Sequence, residues 1–231
     1  MDEPLQYYFR KFGFNGSAIQ RIASGEKYFG LMLKNGNIGV CATLKNKIVA
    51  PGLYSDIKPD LEKTTDRILF TAYLNALLNY ETNYKEDKDI FDFINFERYN
   101  NLVMVGDFKP LIKKFLNFGM KPAVFDLFSE DEIVLPLQLR TKYIQKADGL
   151  ILTATSIFNS TFSEILNEVK KNCDVYILGP TSILNNEMKT KWNIKTIFGT
   201  VFEKNDDRIL DIISMGEGTR HFQPLGKKVY L

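Results

Sequence analysis

The rhythm of apolar and polar positions changes near the middle of the chain. Up to about residue 97 it describes a small α+β unit. Residues 1 to about 24 interleave aromatic with basic side chains (Tyr7, Tyr8, Phe9, Arg10, Phe12, Phe14), which predicts a short helix packed on the body. Two apolar runs, Tyr28 to Leu33 and Ile38 to Thr43, flank Lys34-Asn35-Gly36-Asn37. Asn-Gly between two such runs is the strongest short-range hairpin signal, because a tight turn between twisted strands needs positive φ. Gly52 to Pro59 reads as a loop. Leu61 to Tyr80 then carries Leu61, Ile68, Leu69, Ala72, Tyr73, Ala76 and Leu77 at helical spacing. Glu62 and Asp66 sit at its start, where the helix dipole favours anions. Arg67 and Asn75 interrupt the apolar face of this helix.

The charged run Tyr84 to Asp89 reads as a surface connection, and it sets the expected boundary between a domain of residues 1–97 and one of residues 98–231. Asp89 to Phe96 has the spacing of a short helix. From Asn101 the pattern alternates short apolar runs with amphipathic ones. Strands are predicted at Leu102 to Val105, Ala123 to Phe125, Leu150 to Leu152, Val175 to Leu178 and Thr196 to Phe198. Helices are predicted from Pro110 to about Phe118, near Leu137 to Gln145, and over Phe162 to Lys171, Ser182 to Lys191 and Arg208 to Met215. Pro110 suits a first helical turn, whose N–H has no partner in any case. A last strand, Lys228 to Leu231, is expected to close an edge. Repeated βα units of this kind predict a Rossmann-like, mostly parallel sheet with helices on both faces.

Such sheets place ligands outside the carboxyl ends of their strands, so the loops there carry the candidate chemistry. The first is Gly106-Asp107. It has one glycine where a dinucleotide fingerprint has three, and Asp107 would repel a pyrophosphate, so ordinary NAD is not expected. Asp126, just past the second strand, then reads as an N-cap or loop aspartate. The second loop holds Thr153, Thr155, Ser156, Asn159, Ser160 and Thr161, six polar side chains in nine positions. Helix capping accounts for one or two of them. The rest suit a ring of neutral donors and acceptors around a small ligand, with Asn159 and Thr161 reaching into a cleft. The third loop, Gly179-Pro180-Thr181-Ser182, reads equally as a turn with an N-cap or as an anion-friendly helix start.

Composition narrows the classes. The chain has 231 residues and is 45% hydrophobic, enough for one large domain or two small ones without disulfides. Thirty basic against 28 acidic residues leave a net charge of +2, so no nucleic-acid partner is expected. Cys41 and Cys173 lie far apart in apolar runs and read as reduced core thiols. No basic-then-apolar leader opens the chain and no apolar run approaches a membrane span, so a cytoplasmic location without a membrane partner is expected. His221 is the only histidine. A closed zinc site and a Ser or Cys triad are therefore not expected. Gly216-Glu217-Gly218, followed by Arg220 and His221, reads as a surface turn or as a ligand-contacting loop. Any metal would be held by oxygen ligands such as Asp107, Asp126 or Glu217.

Several of these segments, in this order, resemble one family. They are Asn37-Ile38-Gly39-Val40, Tyr73-Leu74-Asn75-Ala76-Leu77, Met104-Val105-Gly106-Asp107-Phe108, Ala147-Asp148, Leu152-Thr153-Ala154-Thr155, Asn159-Ser160-Thr161, Leu178-Gly179-Pro180-Thr181 and Phe198-Gly199. Over roughly residues 20 to 231 the chain is similar to the putative heavy-metal chelation proteins, in which a domain like the N-terminal domain of enolase precedes a Rossmann-like one. The resemblance implies a cleft between the two domains and the handling of a metal or metal complex. Asp107 stands where the family more often has histidine, and Ala154 and Ser160 stand where glycine is common. Carboxylate in place of imidazole moves the site toward harder cations or a hydrogen-bonding role. The added Cβ atoms narrow the room for a ligand.

The expectation is thus a protein that binds a small anionic ligand or a metal complex. Its cleft would use Gly106, Asp107, Thr153, Thr155, Ser156, Asn159, Thr161, Gly179, Pro180 and Thr181, roofed by the small domain through Arg67 or Asn75. A divalent or heavy metal ion is the expected cofactor class, with Asp107 as its ligand. Two alternatives stand beside it. One is a cofactor-using transferase or lyase in the same cleft, with Asp107 or His221 as base. The other is a non-catalytic homodimeric scaffold.

Overall fold

Helix α1 (Pro4–Phe12) starts where Glu3 accepts a hydrogen bond from the Gln6 N–H at 2.9 Å, with Pro4 in its first turn. A 3-10 turn, Gly16–Ala18, follows, and then strand β1 (Ile19–Ser24). This strand corrects the reading of residues 1 to 24 as helix alone. The computed structural model describes residues 2–49, 53–81, 84–86, 90–222 and 224–231. Gly52 of the expected loop and residues 87–89 of the expected domain boundary lie outside them.

β1 pairs antiparallel with β2 (Tyr28–Leu33), and β2 with β3 (Ile38–Ala42), through the predicted Asn-Gly turn. Gly36 there has φ +84°. Helix α2 (Thr64–Leu78) crosses this small sheet, and from Arg67 to Ala76 every residue is buried. A helix apolar nearly all round is one enclosed on all sides. Here the small sheet lies on one side and the large sheet on the other, and one core joins Phe29, Leu31 and Phe70 to Leu150, Ile177 and Ile197.

Among the described residues the large sheet has seven strands. Chain order gives β4 (Lys85–Glu86), β5 (Leu102–Val105), β6 (Ala123–Phe125), β7 (Gly149–Thr153), β8 (Asp174–Leu178), β9 (Thr196–Phe202) and β10 (Gly226–Tyr230). Their spatial order is β4-β10-β9-β8-β7-β5-β6. The run from β6 to β9 is parallel, and its order is that of a flavodoxin-like doubly wound sheet. β10 runs antiparallel to β9 and carries β4 outside it, so β10 is an inner strand and not the expected edge.

Six further helices complete the described fold: α3 (Ile90–Phe93), α4 (Lys109–Asn117), α5 (Arg140–Ile144), α6 (Phe162–Glu168), α7 (Asn186–Trp192) and α8 (Arg208–Ser214). Strand residues alternate between faces. Met104, Ile151, Tyr176 and Phe198 meet α4 through Leu111, Ile112 and Phe115. Val103, Leu150, Leu152, Val175 and Ile177 meet α2, α6 and α7. Helix α8 packs on the small sheet instead, with Ile209, Leu210 and Ile213 against Met32, Ile38 and Val40. Two helices are shorter than their patterns. α7 begins only at Asn186, capped by Asn185, and α6 ends at Glu168. No helix among the described residues is long and apolar enough to cross a membrane.

Candidate functional site

From β5 the chain moves outward to β6 and then crosses back to β7. The order of strands therefore reverses between β5 and β7, and a crevice opens at their carboxyl ends. A cavity of about 40 Å³ lies there, lined on its polar side by Gly106, Asp126, Arg140, Thr153, Thr155, Asn159 and Thr161. Leu127, Phe128 and Leu137 line it too and are exposed, which makes an apolar rim.

Much of the hydroxyl density is used locally. Thr153 and Thr155 share a hydrogen bond between their hydroxyls at 3.0 Å. Ser156 is buried and donates to the Thr153 carbonyl at 2.7 Å, away from any ligand role. Asn159 Oδ1 accepts from both the N–H (3.1 Å) and the hydroxyl (2.7 Å) of Thr161. Ser160 between them has φ +68°, a conformation that favours glycine. Gly106 has φ +120°, and a Cβ there would stand 2.9 Å from the Phe108 ring and from Thr153 Cβ.

Arg140 is the cation of the cavity, and nothing in the sequence reading singled it out. Its Nη2 pairs with Glu164 of α6. Its Nε is buried and has no hydrogen-bond partner among the described residues. One signal was available. The helix of a βαβ unit runs back against the strands, so the first turn of a helix that precedes a strand lies at the carboxyl ends.

Asp107 lies beside this cavity. Its Oδ2 accepts from the Ser129 hydroxyl at 2.7 Å and lies 3.8 Å from Lys109 Nζ, while Oδ1 is buried with no partner among the described residues. Asp126 accepts from the N–H groups of Asp107, Phe128 and Ser129 at 2.9, 2.8 and 2.9 Å, the work of a loop aspartate.

The third loop goes elsewhere. Gly179 and Pro180 line a second groove of about 570 Å³. Thr181 is buried, and its hydroxyl accepts from the Ala42 N–H of β3 at 3.0 Å. Phe108, packed on Gly106, also lines this groove and so stands between the two spaces.

The small unit reaches the cavity through Leu44. Leu44 and Lys45 have φ +47° and +66°, in a turn closed by the Asn46 N–H on the Thr43 carbonyl at 3.0 Å. Arg67 and Asn75 lie in the packing between the sheets. Arg67 donates to the carbonyls of Phe158 (2.5 Å) and Ile157 (2.8 Å) and pairs with Glu3. Asn75 donates to those of Val40 (2.9 Å) and Thr181 (3.1 Å). His221 is exposed, with Nδ1 2.9 Å from Glu217.

These donors decide what the site can hold. Burial pushes the Cys41 thiol well above its ordinary range and that of Cys173 up to about 11, so neither is a thiolate at neutral pH. No three of His, Cys, Asp and Glu come together among the described residues. A guanidinium, hydroxyls and an amide suit an anionic or polar head group, the Asp126 carboxylate of the lining being taken up by three loop N–H groups. They do not fit a bare soft cation, which is taken by thiolate or imidazole.

A family model described as putative heavy-metal chelation, DUF364, matches residues 89–231. Two solved structures resemble the chain. One is a DUF364-family protein of unknown function from Pyrococcus horikoshii, 20% identical, with TM-score 0.76 and 92% of each chain covered. The other is a DUF364-family protein of unknown function from Desulfitobacterium hafniense DCB-2, 16% identical, with TM-score 0.78 over 98% of this chain and 99% of that one. At these identities the likeness is one of fold. No curated protein matches the chain.

Proposed function

We propose, from the premise that this chain belongs to the DUF364 family of putative heavy-metal chelation, that it binds metal as a small anionic chelate and not as a bare ion. The observation that carries this reading is Arg140: it lines the same small cavity as Thr153, Thr155, Asn159 and Thr161, and beside its ion pair with Glu164 it keeps a buried Nε with no partner among the described residues. A cavity of about 40 Å³ takes a few water-sized groups, which is one carboxylate or phosphate head. The body of such a ligand would rest outside, on Leu127, Phe128 and Leu137. The ligand's own donors then hold the metal, and the protein supplies charge, hydrogen bonds and an apolar rim.

Calorimetry with three probes tests this: sodium citrate, its cobalt(II) complex, and cobalt(II) chloride. Citrate and its complex are expected to bind, and Arg140→Gln to weaken both by about tenfold or more, the loss of one charge-assisted hydrogen bond. Binding of cobalt(II) chloride that survives Arg140→Gln and disappears in Asp107→Ala would overturn the reading.

A further inference from the structure

Charge also gathers at the amino ends of the large sheet, away from the small cavity. β5 and β6 begin there, at Leu102 and Ala123. Beside them lies a hollow of about 350 Å³. Leu102, Val103 and Ala123 form its floor, and around it stand Asn100, Asn101, Lys121, Lys142, Tyr143 and Lys146. The lysines come from two places. Lys121 belongs to the loop that leads from α4 into β6, and Lys142 and Lys146 to α5 and the turn after it.

All three lysines are exposed, and none forms an ion pair among the described residues. Two acids nearby are engaged elsewhere. Asp148 accepts from the N–H groups of Asn100 and Asn101 at 3.0 and 2.9 Å. Glu168 accepts from the Thr141 hydroxyl at 2.8 Å. Lysines near the end of a helix often serve its free carbonyls. Here a fourth lysine does so: Lys170 donates to the Lys146 carbonyl at 3.0 Å. Like charges held around one hollow repel each other, and an anion placed between them relieves that.

We infer that this hollow binds a small free polyanion that carries two or more phosphate groups. The volume is in the range of small-molecule sites, about 300–1,000 Å³. Ammonium groups are point charges on flexible stems, which suit oxygens spread over several phosphates more than one planar carboxylate. Asn100 and Asn101 add neutral donors. A nucleic-acid strand would need aromatic faces on which bases stack. Tyr143, the aromatic residue at this border, sets its ring against Phe125 at 5.6 Å instead.

Calorimetry on the whole chain tests this with sodium tripolyphosphate, sodium phosphate and a thymidine oligonucleotide, in metal-free buffer. Tripolyphosphate is expected to bind once per chain, more tightly than phosphate, and more weakly as salt is added. The double variant Lys142→Gln, Lys146→Gln is expected to weaken it by about tenfold, and Lys121→Gln, on the other wall, by about threefold. Lys34→Gln with Lys204→Gln removes the same charge from the turns after β2 and β9, and should change the affinity by less than about twofold. Arg140→Gln, which belongs to the other cavity, leaves it unchanged, so this inference and the chelate reading fail separately. Absent binding, equal weakening by the Lys34 and Lys204 pair, affinity unmoved by the variants of the hollow, or tighter lysine-dependent binding of the oligonucleotide overturns the inference.

Discussion

The hydroxyl of Ser129 donates to Oδ2 of Asp107 at 2.7 Å, bridging the loops that follow β5 and β6. The bond gives Asp107 a structural role. Ser129→Ala leaves a largely buried carboxylate whose ion-pair partner among the described residues is Lys109 at 3.8 Å, and should cost about 1–3 kcal/mol in urea unfolding. In an Asp107→Asn background the same change should cost about 1 kcal/mol less, since no charge loses its donor. An equal cost in both backgrounds would show that the hydroxyl serves something other than the carboxylate.

Asn79 ties α2 to the loop after β8 at two points. Its Nδ2 donates to the Ser182 carbonyl at 2.9 Å, and its Oδ1 accepts from the Leu184 N–H at 2.8 Å. All these groups are buried. Asn79→Ala leaves both backbone groups unpaired and should cost about 2–4 kcal/mol, read as a shift of the denaturant midpoint with unchanged slope.

Ser160 and Lys45 hold positive φ without being glycine. The left-handed region costs an ordinary residue about 1–2 kcal/mol. Glycine at either position removes that cost and regains part of it as chain entropy in the unfolded state. Ser160→Gly and Lys45→Gly should therefore be neutral or stabilising by up to about 1 kcal/mol, measured by calorimetric melting. A loss of stability in both would mean that their side chains contribute more than their backbones cost.

The elements legible in the sequence were those whose local pattern agrees with their surroundings. Asn35-Gly36 marked the β2–β3 hairpin, and each parallel strand is an apolar run because most of both its faces is covered. β1 was not legible. Its register shifts between Ile19 and Arg21, and Arg21 reaches out to Asp207 and Asp211, so the alternation is broken. At the site, Thr153, Thr155, Asn159 and Thr161 were legible from their density, and the structure brings them together with Gly106. Arg140 was hidden because its place depends on the return direction of α5. The sequence also does not separate a polar residue that faces a ligand from one that ties two backbones, which is what the hydrogen bonds of Asn75 and Arg67 do here.

Glu187 gives a pH dependence of known sign. Lys11 Nζ at 2.7 Å, and then the Tyr7 hydroxyl at 2.6 Å, hold its carboxyl below the ordinary 4.5. A carboxyl with a lowered folded pKa stabilises the fold above its unfolded pKa, and that contribution is lost as pH falls through the folded value. The difference in Tm between the protein and Glu187→Gln should thus be constant above about pH 5 and close as the pH falls below it. Because the pair is partly exposed, added salt should shrink the same difference at neutral pH. A difference that persists in acid would mean that packing, and not charge, holds α1 to α7.

Gly106 and Gly179 separate two costs of adding a side chain. Both have φ values that L-residues rarely adopt, +120° and +131°. A Cβ at Gly179 would meet nothing within 4 Å, whereas one at Gly106 would meet the Phe108 ring and Thr153 Cβ at 2.9 Å. Gly179→Ala should therefore cost the backbone term alone, about 1–3 kcal/mol. Gly106→Ala should cost that and about 1–3 kcal/mol of overlap besides. The overlap is relieved most easily by turning Phe108, the ring between the small cavity and the larger groove. Gly106→Ala should accordingly change the affinity for citrate, and Gly179→Ala should leave citrate binding as it was. Equal stability costs for the two variants, together with unchanged affinities, would show that the ring does not divide the two spaces.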